Sequence, residues 1–201
     1  MGFLKKNFHD VLRLYINQIG ITIFAMMLYT ASGIPEDGVL VSQLRTLVSV
    51  FSMLFYFALL YYVSWEYGAK DKIRIDSGRE ERTPLKGLFM SCFANVPNFL
   101  FGILSIVLCI VTISQGTSVQ GFFGVVFALT MAHASMYMGV IQTLVYGFNL
   151  PDPEVLDLKK YLIMTILFTV MPLLSVGITH LAYYLGSREI KLLSFLSKKN
   201  K

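Results

Sequence analysis

The stretch TLVSVFSMLFYFALLYYVSW, residues 46–65, holds no charged side chain in 20 consecutive positions. An α-helix needs roughly 20 mostly apolar residues to cross the hydrocarbon core of a bilayer. Because lipid offers the backbone no hydrogen-bonding partner, a segment in lipid must pair its own N–H and C=O groups, as a helix does. The stretch therefore predicts a membrane-spanning helix.

Four other stretches also lack Asp, Glu, Lys and Arg and are long enough to span a bilayer. They are residues 14–31, 88–114, 121–146 and 161–185. Together, the five stretches predict an all-α integral membrane protein, a bundle of about five transmembrane helices. Since 55% of the 201 residues are apolar, we expect residues 1–201 to form a single transmembrane domain without a soluble one.

The first residues of the chain have an amphipathic pattern. Apolar side chains recur at helical spacing within residues 3–15, and charged side chains occupy positions between them. The pattern predicts an amphipathic N-terminal helix that lies in the headgroup layer. It is equally compatible with the first turns of the first spanning helix, so both interpretations stay open at this point.

The distribution of basic residues predicts a cytoplasmic N-terminus in a plasma membrane. Three Lys/Arg precede the first span, six lie in residues 66–87 and two directly precede the fifth span, so 11 of 17 would be cytoplasmic. The positive-inside rule favours this orientation. However, five spans would place the five basic residues after position 185 outside. If the third span were re-entrant, 14 basic residues would lie inside and 3 outside.

The longest polar segment is the predicted cytoplasmic loop 66–87. Its centre reads KDKIRIDSGREER, residues 70–82, in which opposite charges alternate closely. Such a pattern is typical of a solvated loop whose charges pair with one another, so single replacements should be mild. The alternative interpretation is a docking surface for a partner protein or for anionic lipid.

Prolines predict where helices begin and bend. The pair Thr83-Pro84 is typical of a helix start, with Thr at the N-cap and Pro in the first turn. The pair Asp152-Pro153 repeats this pattern. Inside the third and fifth spans, Pro97 and Pro172 each remove a backbone hydrogen bond, so we expect a kink at each.

Small side chains recur every three or four residues along the span 121–146. They are Gly121, Gly124, Ala128, Ala132, Ser135 and Gly139. In lipid, small residues let helix backbones approach closely, and this packing is a main source of helix association. The stripe predicts either tight packing against neighbouring helices of the same chain or an interface with another subunit.

Few polar side chains fall within the predicted spans, and none of them is acidic. This counts against a proton- or sodium-coupled transporter, because such proteins use ionisable groups at membrane depth. If the kinked helices enclose a polar cavity, the residues that line it would be Asn95, Asn98, Thr169 and His180.

No catalytic, metal or cofactor site is predicted. His133 and Met136 share a helix face, and such soft ligands suit Cu(I), but a hydrogen-bonded core histidine and a packing methionine are the simpler interpretation. No pattern joins a serine of the spans to a histidine base, so we expect the protein not to be an enzyme. Cys92 and Cys109 lie in one predicted span and are interpreted as packing residues.

The segment WEYGAKDKIRIDSG (65–78), followed by PLKGLF (84–89) and the Asn95–Asn98 kink, resembles small bacterial multi-pass membrane proteins that carry no assigned activity. The resemblance implies a bacterial plasma membrane and no catalytic or binding residue. In style, the helix layout and the small-residue stripe are similar to substrate-capture subunits of energy-coupling-factor importers. Those subunits have six helices and a docking motif in the first, and this chain differs from them in both respects.

These observations predict a non-enzymatic subunit or scaffold of a membrane assembly, which docks through the small-residue stripe and the charged segment 66–87. The alternative is a small transporter or the substrate-binding component of an importer. The expected partners are the lipid bilayer and either another protein or a second copy of the chain. A nucleic-acid partner is not expected, because the basic residues behind the net charge of +5 flank the apolar spans.

Overall fold

The computed structural model describes residues 3–33, 38–83, 85–115, 120–148 and 157–190, and this part of the chain is helical without any strand. The helices are α1 (Phe3–Ala31), α2 (Gly38–Asp76), α3 (Lys86–Ala94), α4 (Val96–Gln115), α5 (Gln120–His133), α6 (Met138–Tyr146), α7 (Leu158–Val170) and α8 (Pro172–Gly186). A short 3₁₀ turn, Ser135–Tyr137, joins α5 to α6. The predicted all-α architecture is confirmed.

Four segments are helical, apolar and long enough to cross a membrane. They are Phe3–Ala31, Gly38–Asp76, Val96–Ser114 and Leu158–Gly186. A fifth candidate consists of two helices, Gln120–His133 and Ser135–Tyr146, bent by 81° with respect to each other. By length and composition, the described residues thus contain four candidate spans, or five if the bent pair counts as one, where the apolar stretches predict about five.

The bent pair α5–α6 begins and ends at the same end of the bundle. The ammonium group of Lys160 lies 4.9 Å from the ring centroid of Tyr146, at the end of α6. The neighbouring Tyr161 packs edge-on against Phe123 near the start of α5, with centroids 6.3 Å apart. Because one turn of α7 contacts both, the pair forms a helical hairpin. Its tip reaches the middle of α1, where Thr22 Oγ1 donates a hydrogen bond of 3.2 Å to the His133 carbonyl.

The opposite end of the bundle collects the start of α1, the end of α2, the connection 77–85 and the end of α8; we call it the basic face. The Lys6 ammonium lies 3.5 Å from a Glu80 carboxylate oxygen, and the Tyr183 hydroxyl donates to Asp71. Of the 17 Lys/Arg, 14 lie in residues 1–13, in residues 66–87 or after residue 185 of the sequence, and three lie elsewhere. This is the distribution expected above for a re-entrant third span, but the apolar stretch that turns back is the fourth and not the third.

The first helix, Phe3–Ala31, is kinked at Asn7, whose backbone angles (φ −111°, ψ 15°) are not helical. The amphipathic residues 3–15 therefore fall on both sides of the kink: residues 8–15 form the first turns of the spanning helix, and Phe3–Lys6 form a short helical segment before it. On these turns Val11 is buried, whereas Phe8 is exposed.

The prediction of a loop over residues 66–87 is wrong for residues 66–76, because α2 continues to Asp76. Two interactions extend the helix past the apolar stretch. Lys70 and Glu66 form an i,i+4 pair of 2.6 Å, and the backbone of Gly68 rests against α8. The connection between α2 and α3 is thereby reduced to residues 77–85.

The predicted helix boundaries hold in part. Thr83 is not the N-cap of α3: the helix begins at Lys86 after Leu85, while Pro84 lies outside the described residues. The pair Asp152-Pro153 is also outside them, and the N-cap of α7 is Asp157, whose side chain accepts the Lys160 N–H at 3.2 Å.

Both predicted kink positions coincide with helix boundaries. Asn95 interrupts the chain with φ −93° and ψ 2° between α3 and α4, next to Pro97. At Pro172 the interruption is mild, since Met171 keeps helical angles (φ −54°, ψ −39°) between α7 and α8.

A very close helix contact joins α2 to α8 through two glycines. A Cβ on Gly68 would overlap the Tyr183 carbonyl oxygen, and a Cβ on Gly186 would overlap the Trp65 carbonyl oxygen. Because each glycine meets the backbone of the other helix, a larger residue cannot be accommodated by a side-chain rotation. Small residues at a crossing are the usual means by which membrane helices approach closely.

Gly68→Ala should therefore destabilise the protein, by on the order of 1–3 kcal/mol, because overlap with backbone atoms forces the two helices apart. The free energy of unfolding in mixed micelles measures the effect. Gly177→Ala in α8 is the matched control, since a Cβ there meets no atom within 4 Å, and it should be neutral or slightly stabilising. Equal effects of the two variants would contradict the backbone contact.

Single cysteines test the hairpin in a background in which Cys92→Ser and Cys109→Ala remove the native thiols. Ser114→Cys and Lys159→Cys flank the α5–α6 pair, so a membrane-impermeant thiol reagent should label both from the same side of sealed vesicles. Arg79→Cys on the basic face should be labelled from the other side. Labelling of positions 114 and 159 from opposite sides would mean that the pair crosses the membrane.

Candidate functional site

A buried ion pair lies at the centre of the basic face. The Lys86 ammonium is 2.6 Å from Asp71 Oδ2, and the two side chains are 7% and 6% exposed. The Tyr183 hydroxyl donates to the same carboxylate oxygen at 2.7 Å. Burial of a charge is costly unless it is paired and hydrogen-bonded, and here both conditions are met. The three residues connect α2, α3 and α8.

Two glycines make this cluster possible. Gly68 lies one turn before Asp71 and lets the α8 backbone approach, while a Cβ on Gly87 would overlap the Tyr183 side chain. The ring of Tyr183 therefore fits between α2 and α3 with its hydroxyl directed at Asp71. The Asp71 carboxylate is paired with Lys86 and, through Oδ1 at 3.9 Å, with the Arg74 guanidinium, and it accepts the Tyr183 hydroxyl. This arrangement holds three helices together.

A second set of charges extends the cluster toward α1. A Glu80 carboxylate oxygen lies 3.5 Å from the Lys6 ammonium and 3.7 Å from the Arg74 guanidinium. A small cavity of about 60 Å³ separates this set from Asp71 and is bordered by the buried Asn7. Lys6 and Arg74 are about half exposed, so these pairs contribute little stability compared with the buried pair.

A larger cavity of about 630 Å³ opens between the end of α2, the connection 77–85 and the end of α8. It is lined by Lys72, Ile75, Asp76, Arg82, Thr83, Leu85, His180, Tyr183, Tyr184, Ser187 and Arg188. Three of these residues are permanent cations and one is a carboxylate. We call this space the basic cavity.

The four residues proposed for a polar cavity lie in three parts of the bundle. Asn95 and Asn98 are buried together at the α3–α4 break, where Asn98 Nδ2 donates to Asn95 Oδ1 at 3.0 Å. Thr169 lies against Gly102 of α4, and its hydroxyl donates to the Thr165 carbonyl at 2.8 Å. Of the four, His180 alone borders the basic cavity.

The 3₁₀ turn divides the small-residue stripe into two parts. Ser135 and Gly139 are buried in the bundle: Ser135 Oγ donates to the Thr22 carbonyl at 2.6 Å, and the Gly139 N–H donates to Ser49 Oγ at 2.7 Å. Ala132 is half-buried. The remaining members, Gly121, Gly124 and Ala128, are exposed on the outside of α5.

The exposed part of the stripe borders an open groove of about 540 Å³ on α5. A Cβ added at Gly121 or Gly124 would meet no atom within 4 Å. The walls of this groove are the side chains of Gln120, Phe123, Phe127, Met131 and Tyr161. The result is an apolar surface with a notch at the two glycines; we call it the α5 groove.

The candidate ligands and nucleophiles are held by ordinary packing contacts. Nδ1 of His133 lies 3.0 Å from the Leu129 carbonyl, and its ring is 4.9 Å from that of Phe101. Cys92 and Cys109 are free thiols. Within the described ranges, His, Cys, Asp and Glu do not form any group of three or more that could hold a metal ion.

Comparison with protein-family models, with curated proteins and with solved structures finds no match to this chain.

The Asp71–Lys86–Tyr183 cluster was missed by the sequence analysis, which treated residues 66–82 as solvated. A signal was present in the helical spacing. The buried face of α2 continues past the apolar stretch at Ser64, Gly68 and Asp71, positions i, i+4 and i+7 of one helix face. What hid the cluster is that the hydroxyl donor lies 112 residues away in the chain.

Asp71→Ala should destabilise the protein by about 3–5 kcal/mol, because it leaves the Lys86 ammonium buried without its counter-ion. Asp76→Ala, on an exposed position of the same helix, is the matched control and should change stability by less than about 0.5 kcal/mol. Unfolding in mixed micelles, monitored by circular dichroism, compares the two. A mild effect of Asp71→Ala would restore the solvated-loop interpretation.

Proposed function

We propose that this protein is a non-enzymatic multi-pass membrane subunit, a scaffold that binds another membrane protein through the α5 groove. The observation that carries the proposal is the open notch at Gly121 and Gly124, set among apolar and aromatic side chains on the outside of α5. The occupant that we infer is a transmembrane helix of the partner.

The chemistry of the groove favours such an occupant. Between helices in lipid, association depends on close van der Waals packing, to which small residues contribute by allowing short backbone distances. On α5 the notch is unfilled, whereas the corresponding small residues beyond the 3₁₀ turn are already packed: Gly139, for example, meets the backbone of Arg45. The free half of the stripe is therefore available to a helix from outside the chain.

The alternative, a small transporter or substrate-binding component, has less support. It would require the polar residues of the bundle to line a common path. Asn98 Nδ2 donates to Asn95, and Thr169 donates to its own helix, so these two donors are directed to neighbouring protein groups. The lining of the α5 groove is mostly apolar, and its polar groups are the Gln120 amide and the Tyr161 hydroxyl.

The orientation that we propose places the basic face in the cytoplasm of a bacterial cell, with both the N-terminus and the end of α8 on that side. Support comes from the 14 basic residues associated with this face in the sequence, against three elsewhere, namely Arg45, Lys159 and Lys160. An imbalance of this size is typical of the cytoplasmic side of plasma-membrane proteins.

Gly124→Leu should abolish partner binding while leaving the fold intact, because the new side chain fills the notch and its Cβ meets no described atom within 4 Å. The experiment is affinity purification from native membranes in a gentle detergent, followed by mass determination of the intact particle. We expect the wild type to carry a second membrane protein in stoichiometric amount and the variant to lack it.

Gly20→Leu on α1 is the matched control, since Gly20 is equally exposed and a Cβ there also meets nothing within 4 Å. It should retain the partner. A wild-type particle with the mass of a single chain would contradict the subunit proposal and shift the weight to the transporter alternative. A particle with twice the chain mass would mean that the partner is a second copy of this chain and not a different protein.

A further inference from the structure

We propose that the basic cavity binds the phosphate headgroup of an anionic lipid drawn from the leaflet at the basic face. The site is distinct from the α5 groove, and its argument does not depend on the proposed protein partner. Three features of the cavity support it: its size, its charge and an apolar surface that leads away from it.

The cavity has the dimensions of a binding site. Its volume of about 630 Å³ lies within the range of roughly 300–1,000 Å³ that small-molecule sites occupy. Its walls come from three separate segments of the chain, the end of α2, the connection 77–85 and the end of α8. A headgroup in this space would therefore be surrounded on three sides.

The charge of the cavity favours a phosphate. Lys72, Arg82 and Arg188 contribute three cations, against one carboxylate from Asp76 in the lining. Lys72 is already paired with Glu189 at 3.0 Å, which leaves the two arginines as the principal phosphate ligands. Arginine presents several N–H donors in a planar fork that matches phosphate oxygens.

One of these arginines is held in place before any ligand binds. The Arg188 guanidinium stacks on the Tyr184 ring at 4.4 Å from its centroid, an arrangement that restricts the side chain.

An apolar surface on α8 continues from the cavity and distinguishes a lipid from a soluble phosphate. Tyr184, His180, Gly177 and Leu173 follow one another at helical spacing on one face of α8. Leu173 is 54% exposed, and Gly177 leaves open space above the helix. An acyl chain can lie along this face while its headgroup occupies the cavity, in the way that basic pockets between membrane helices hold anionic lipids.

The test is a titration of the full-length protein in a neutral detergent with short-chain phosphatidylglycerol, with phosphatidylcholine of the same chain length, and with inorganic phosphate alone. We expect saturable binding of phosphatidylglycerol and much weaker binding of the other two. Arg82→Ala combined with Arg188→Ala should weaken phosphatidylglycerol binding by about tenfold or more, because each lost cation removes part of the attraction for the headgroup.

Lys70→Ala combined with Arg79→Ala removes two charges from the same face outside the cavity, and it should change the affinity by less than about twofold. If both double variants weaken phosphatidylglycerol binding equally, the effect is one of general surface charge, and the proposal of a binding site in the cavity is refuted. If inorganic phosphate binds as tightly as phosphatidylglycerol, the cavity binds a soluble ligand, and the proposal of a lipid is refuted. If the arginine pair does not fold, as judged by circular dichroism, Arg82→Gln and Arg188→Gln are compared singly by the same criteria.

Discussion

The close approach of α2 to α8 is the contact on which the arrangement of the basic face depends. Gly68 and Gly186 bring the two backbones together, and no side chain lies between them. The contact brings the end of α8 next to the end of α2 and thereby places both on the face where α1 begins. It also brings Tyr183 within hydrogen-bonding distance of Asp71. The position of the end of α8 and the Tyr183–Asp71 hydrogen bond therefore both depend on two residues without side chains.

The charged residues of the basic face separate into two groups because of this contact. Asp71 and Lys86 lie under α8 and neutralise each other at 2.6 Å, so their role is to hold three helices together. Lys72, Arg82 and Arg188 lie on the other side of Tyr183 and border the basic cavity. A single tyrosine thus separates a closed ion pair from an open cationic space, and the open space is the one suited to an external anion.

The hairpin α5–α6 explains why one half of the small-residue stripe is buried and the other half is exposed. Beyond the 3₁₀ turn the chain changes direction by 81°, so Gly139 faces α2 while Gly121 and Gly124 stay outside. The inner half binds the hairpin to its own bundle, and the outer half forms the α5 groove. This groove adjoins the opposite end of the bundle from the basic cavity, so the proposed protein partner and the proposed lipid would not compete for one surface.

The sequence alone determined the all-α membrane architecture, the positions of the apolar segments and the breaks near Pro97 and Pro172, because these depend on local composition and on backbone chemistry. It also contained the asymmetry of basic residues. Only the tertiary structure decided that α2 extends to Asp76, that the fourth apolar stretch turns back and that Asp71 is buried. Each of these depends on contacts between distant parts of the chain, such as Tyr183 with Asp71 and Lys160 with Tyr146. The spacing of residues along a single helix cannot report which helix will cover it.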